Sequence, residues 1–185
     1  MAIRSLKTGV YSRSLLVGND AYIPPSFDSI ATATGTGSSG TITFSSIPQT
    51  YTHLQIRSVA TSTGSYGVIR FNSDSGSNYT SHFLYSNTSS VISSGLTSLT
   101  SLYGPRADNS TYPSVGIVDI LDYTSSAKNK TIKVFTGQDA NGSGLIMVNS
   151  GLWLSTSAIT SITINTQSGN WATTAQFALY GIKGA

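Results

Sequence analysis

FSSIPQTYTHLQIR, residues Phe44 to Arg57, decides how this chain is read. It holds the end of one strand, a corner and the start of a second strand. From Thr52 to Ala60, Leu54 and Ile56 point one way while His53, Gln55 and Arg57 point the other. That period of two is the mark of a half-buried strand. Pro48 has no N–H and a fixed φ, which suits a corner and not a central strand.

Working outward, the same grammar recurs. Before the corner, Thr41–Ser46 sets Ile42 and Phe44 on one face, and Phe27–Thr34 alternates weakly through Ile30. After it, Val68–Asn72 sets Ile69 and Phe71 against Val68 and Arg70. Tyr79–Tyr85 sets Tyr79, Ser81, Phe83 and Tyr85 against His82 and Leu84. Pro113–Tyr123 is apolar on both faces, Val115, Ile117 and Leu121 against Val118 and Ile120. Lys130–Gly137 sets Ile132 and Val134 against Lys133 and Phe135. Leu145–Leu154 follows with Gly151 as an expected bulge, then Ala158–Asn165 and Phe177–Lys183. Ser86–Tyr112 is rich in Ser, Thr and Asn and reads mostly as loop, with one short strand near Leu96–Leu102. About nine or ten short strands with frequent turn signals and no sustained 3.6 period point to an all-β sandwich. The expected architecture is a jelly-roll-like antiparallel β-sandwich over residues 27–185. The expected core is Ile42, Phe44, Leu54, Ile56, Ile69, Phe71, Ile117, Ile162, Ile164 and Leu179.

Residues 1–26 differ. Arg4, Lys7 and Arg13 face a single acid, Asp20, and Ile3, Leu6, Val10, Leu15, Leu16 and Val17 follow no strand period. The segment reads as an N-terminal arm that buries its apolar residues on a partner. Its expected contacts are Arg4, Leu6, Lys7, Tyr11, Arg13, Leu15, Leu16 and Tyr22.

Composition narrows the function classes. Charged residues make up 9% of the 185, with no Glu and no Cys, against a usual ~25% charged. The surface must be built from Ser, Thr, Asn and Gly, and it desolvates cheaply on contact because few full charges leave water. A net charge of +3, dispersed along the chain, is no nucleic-acid footprint. No apolar run reaches the ~18 residues of a membrane-spanning helix. A folded surface of roughly 8,500 Å² against about 28,000 Å² unfolded leaves room for a core without disulfides.

Catalytic and metal motifs are sparse. Asp139-x-Asn141-x-Ser143-Gly144 has cation-like spacing, but Ser150 stands where the loop's bidentate carboxylate would be, so the Asn-Gly pair reads as a hairpin turn. Asp119 and Asp122 are an odd number apart and fall on opposite strand faces, unsuited to acid–base pairing. His53 and His82 are the only histidines, and no nucleophile–base–acid set can be named around them. No enzymatic activity, cofactor or metal is expected. Five Asn-x-Ser/Thr triplets follow from the composition alone. Trp153, between Leu152 and Leu154, reads as buried on both strand faces. Trp171 sits in a polar stretch, SGNWATT, and reads equally as a surface aromatic or as a lid on the core. With Tyr103 and Tyr112 it makes the set of candidate interface aromatics.

MAIRSLKTGVYSRSLLVGN, TITFSSIPQTYTHLQIR, FNSDSGSNYTSHFLY, VDILDY with KNKTIK, NSGLWLSTSAITSITI and FALYGIKGA together resemble a family of small virion structural proteins of tailed bacteriophages of aquatic bacteria. The resemblance spans nearly the whole chain and carries no catalytic motif. It implies a place on the virion, either as a capsid decoration (cement) protein contacting the major capsid protein or as a tail-fibre or tail-associated module contacting host glycan. A homotrimer is expected, with no nucleic-acid or membrane partner.

Overall fold

The computed structural model describes residues 26–183. These form twelve strands: β1 (Phe27–Thr34), β2 (Thr41–Phe44), β3 (His53–Ala60), β4 (Gly67–Phe71), β5 (Tyr79–Asn87), β6 (Val91–Leu99), β7 (Leu102–Tyr103), β8 (Ser114–Ile120), β9 (Lys130–Asp139), β10 (Gly144–Trp153), β11 (Ile162–Thr166) and β12 (Gln176–Ile182). The described residues contain no α-helix. Every strand pair is antiparallel.

An eight-stranded sheet runs β1-β12-β3-β8-β9-β10-β5-β6, and a four-stranded sheet runs β2-β11-β4-β7. From β2 to β11 the chain visits the small sheet, the large, the small, the large twice, the small, the large and the small again. This is the alternation of a jelly roll, with the meander β8-β9-β10 standing where a single strand would suffice. β1 and β12 then widen the large sheet beyond β3.

The core follows from the alternation. Ile42 and Phe44 of β2, Leu54 and Ile56 of β3, Ile69 and Phe71 of β4, Ile132 and Val134 of β9, Ile162 and Ile164 of β11 and Leu179 of β12 are buried between the sheets. Pro48 makes the corner between β2 and β3, and its carbonyl accepts the Tyr123 hydroxyl. Asn141 and Gly142 both have positive φ, 57° and 95°, the requirement of the tight hairpin turn that joins β9 to β10.

Four expectations need correction. Ile117 is only half-buried, whereas Val118 and Ile120 are fully buried. Both faces of β8 are apolar, and its pairing with β3 sets Val118 opposite the core residue Ile56 and Ile117 opposite the exposed Arg57. Gly151 is no bulge: it pairs regularly with Ser81 and Ile132. A Cβ there would approach Leu102 Cδ2 to 2.8 Å and Ile132 Cγ1 to 2.9 Å, so the glycine makes room for β7 above the sheet. Trp153 is buried but Leu154 is exposed, because the strand ends between them. Ser86–Tyr112 holds more strand than one short piece, with β6 covering Val91–Leu99 and β7 covering Leu102–Tyr103. β6 borders the large sheet at its end, so it has little to bury and its Ser, Thr and Gly conceal the alternation.

The correction at β8 is measurable. Val118→Ala should cost about 1–3 kcal/mol and Ile117→Ala clearly less, since only the former opens a cavity between the sheets. Urea denaturation of the two variants checks the order; a larger loss at Ile117 would reverse the face assignment.

Candidate interaction surfaces

The outer face of the large sheet carries two adjacent rows of exposed apolar side chains. One row follows the register Val59–Val115–Gly137–Ile146–Ser86–Val91. The next follows Arg57–Ile117–Phe135–Val148–Leu84–Ser93. Ile146 is 58% exposed, Phe135 46% and Val91 72%. Eight of these twelve positions on six neighbouring strands are apolar, and a large exposed apolar patch on a folded domain marks a contact surface. Few charges interrupt it. Asp119 accepts a hydrogen bond from Gln55 Nε2 at 2.7 Å. Arg57 donates to Gln55 Oε1 at 2.8 Å and lies over the rings of Phe27 and Tyr180, at 5.3 and 5.6 Å. A concavity of about 610 Å³, whose lining includes Thr32, Arg57, Val59, Val115, Ile117 and Ala178, adjoins the rows.

The second surface lies on the inner face of the large sheet, toward β5 and β6. A polar diagonal crosses this otherwise apolar face, made of Ser81 on β5, Asn149 on β10, Thr136 on β9 and Ser114 on β8, all buried. These four hold the backbone at Tyr103, the end of β7, and at Arg106 beyond it. Ser81 Oγ accepts Tyr103 N–H at 3.4 Å, and Asn149 Nδ2 donates to the Tyr103 carbonyl at 3.0 Å. Thr136 Oγ1 accepts Arg106 N–H at 3.4 Å, and Ser114 Oγ donates to the Arg106 carbonyl. A connection laid over a sheet must satisfy its backbone groups; the diagonal does so at Tyr103 and Arg106, and Gly67 does so at Gly104 and Pro105 between them.

The pinned segment sets up an aromatic shelf. Tyr103 packs on Tyr66, with centroids 5.0 Å apart, and on Phe83 at 5.2 Å. The Arg106 guanidinium lies over Tyr66 at 5.4 Å and over Tyr85 at 5.5 Å, and pairs with Asp108. The five side chains of the shelf, Tyr66, Phe83, Tyr85, Tyr103 and Arg106, are half-buried. Burial, with a hydrogen bond to Tyr66 second, pushes the Tyr103 hydroxyl up to about 12. Asp108 Oδ1 and Asn149 Oδ1 are buried without a partner, so the shelf rests on acceptors that hydrogen-bond to nothing in the described protein.

Of the candidate aromatics, only Tyr103 joins this shelf. Tyr112 is exposed and makes no ring contact among the described residues. Trp171 is not a surface aromatic: it is fully buried, with its ring 4.9 Å from that of Phe177 at 70°. Its backbone explains the position. Trp171 N–H donates to the Ser39 carbonyl, its own carbonyl accepts from Gly37, and it bridges to Ser62. The connections before β2 and after β3 therefore close over it, and the ring lies in the core. Sequence reading missed Tyr66, Phe83, Tyr85 and Arg106 as a group, because they lie on three separate segments. Arg4, Leu6, Lys7, Tyr11, Arg13, Leu15, Leu16 and Tyr22 lie outside the described residues.

Several titratable groups are tied into local structure. Asp28 pairs with Lys183 at 3.2 Å and Asp122 with Lys128 at 2.8 Å. The Trp153 indole N–H donates to Asp74 at 2.7 Å, which with Asn78 holds that carboxyl below its ordinary value. His53 Nδ1 accepts the Asp122 backbone N–H at 3.0 Å. In that bond Nδ1 accepts, whereas the base of a Ser-His-Asp site donates from Nδ1 to its acid. Lys130 is buried, and its ammonium donates to the carbonyls of Ser125, Lys128 and Thr156 at 2.6, 2.8 and 3.1 Å. Burial lowers its pKa, and its role is to tie two connections to the start of β9. Asp139 accepts Asn141 N–H at 2.8 Å within the hairpin turn. No group of three potential metal ligands occurs among the described residues.

Comparison of the chain with protein-family models, curated proteins and solved structures gave no match.

Proposed function

We propose that this chain is a structural, non-enzymatic protein of a tailed-bacteriophage virion, a capsid decoration subunit on the outer surface of the head that clamps neighbouring major capsid proteins. The observation that carries the reading is the pair of exposed apolar rows on the outer face of the large sheet, set in a surface that holds few charges. Such a face loses water at little cost and gains about 25 cal/mol per Å² of apolar surface covered. The resemblance of the chain to virion proteins supplies the setting, and the homotrimer expected from composition belongs to the same reading.

The test is incorporation. Phe135→Ser, Ile146→Ser and Val148→Ser combined should leave the melting temperature within a few degrees, since all three side chains already face solvent. The triple variant should fail to join particles that the parent chain decorates in hundreds of copies. Normal decoration by the triple variant would remove this face from the proposal.

The aromatic shelf favours a second reading, a tail-associated module that contacts host glycan. Half-exposed rings held rigid by a stacked guanidinium suit the apolar faces of sugars. Tyr66→Ala with Tyr103→Ala should then abolish adsorption to host cells while particle assembly continues. A few to dozens of copies per virion, in place of hundreds, would select this reading.

A further inference from the structure

We infer that the free edge of β6 pairs antiparallel with β6 of a second copy of this chain, continuing the large sheet across a two-fold axis. This inference does not depend on where in a virion the protein sits.

Among the described residues, β6 is the last strand of the eight-stranded sheet and pairs only with β5. One side of its backbone thus presents a row of N–H and C=O groups with no partner among the described residues. Folded proteins normally blunt such an edge with charge, proline, a bulge or brevity. The other sheet edges show those devices. β1, at the opposite end, has a bulge between Ser29 and Ala31 and carries Asp28, tied to Lys183. β7 has two residues and β2 has four. β6 is nine residues of VISSGLTSL, with no charge and no proline. Its pairing with β5 is regular from Val91 to Leu96, and the irregularity falls beyond, where Ser98 has φ 56°.

The occupant must be an extended strand that tolerates this sequence beside it, and β6 itself meets that condition. Antiparallel self-pairing brings no like charges together, and Ser93 and Ser94 would lie near the axis. It also joins the apolar rows of two copies, because Val91, Leu84 and their neighbours lead directly to the edge. Ladder hydrogen bonds over 91–96 alone cover less than the ~800 Å² per partner of a stable interface; the adjoining exposed Val91, Ile92 and Leu84 extend the contact. A head-to-tail union of β6 with β1 would meet a bulge within β1 and the charge of Asp28, whereas the irregularity of β6 lies outside 91–96, so the isologous contact is the one the geometry points to.

Light scattering should give a mass of an even number of chains, two from this contact alone or six if a three-fold contact also forms. Ser93→Lys with Ser94→Lys should halve that mass, and so should Ser93→Asp with Ser94→Asp. Mixing the two variants should restore it, because Lys then faces Asp. In the unmodified protein, amides of residues 91–96 should exchange faster on dilution. A parent chain that is monomeric or trimeric overturns the inference, as does exchange that ignores concentration or a mixture that stays at half mass. Protection of residues 91–96 by an added peptide of residues 1–25 would assign the edge to that segment instead, and would also overturn it.

Discussion

Trp171→Ala should destabilise the protein by about 3–5 kcal/mol, the range for removing a large aromatic from a closed interior. For a domain of this size that corresponds to a fall in Tm of roughly 6–20 °C. The side chain is fully buried and meets Phe177 edge-on. Collapse around the cavity is hindered because the surrounding backbone is tied to itself, Gly35 to Ala175, Gly37 to Trp171 and Ala172 to Thr61. Trp171→Phe should cost much less. It keeps a ring in place and removes the indole N–H, which is buried without a partner among the described residues; leaving such a donor unsatisfied costs about 1–3 kcal/mol. Thermal denaturation of both variants decides the matter. A loss at Trp171→Ala no greater than that at Tyr112→Ala would return the residue to the surface.

Alkaline pH should weaken the fold through Tyr79. Burial pushes this hydroxyl up to about 12, against ~10 in an unfolded chain. The hydroxyl accepts Phe71 N–H at 3.2 Å and donates to the Asp74 carbonyl at 3.0 Å. Between pH 10 and 12 the unfolded state releases this proton while the folded state keeps it. The stability linked to Tyr79 is therefore complete below pH 10 and falls by ~1.4 kcal/mol per pH unit, about 2.7 kcal/mol in all. Tyr103 adds a smaller loss over the same window because it is half-exposed. Lys130 acts in the opposite sense. Its lowered pKa makes stability rise with pH up to about 10.4, where the unfolded lysine also loses its proton. Stability should thus pass through a maximum near pH 10 and then drop. Tyr79→Phe should be weaker at pH 9 by about 1–2 kcal/mol, through the lost hydrogen bonds, and should show a shallower decline above pH 10. Urea midpoints at four pH values test this; equal slopes for the two proteins would rule Tyr79 out as the source.

Much of the architecture was legible from contiguous residues. The alternations through Ile42 and Phe44, Leu54 and Ile56, and Ile69 and Phe71 sort inside from outside because a strand turns its side chains over every residue. The Pro48 corner and the Asn141-Gly142 hairpin follow from the φ those residues can adopt. Such features depend on no distant partner. Elsewhere the outcome depended on which strand lay alongside. β8 has two apolar faces, and only its register against β3 put Val118 inside and Ile117 outside. Trp171 sits among polar neighbours in sequence and became core because the connections before β2 and after β3 close over it. The same holds for both candidate surfaces. The outer apolar rows exist only once six strands are placed side by side. The aromatic shelf exists only because Ser81, Asn149, Thr136 and Ser114, distant in sequence, align to pin residues 103–106. A single sequence determines the local period and the turn. Which apolar face is buried, and which polar groups find partners, is settled by long-range pairing, because burial and hydrogen bonding belong to pairs of surfaces and not to segments of chain.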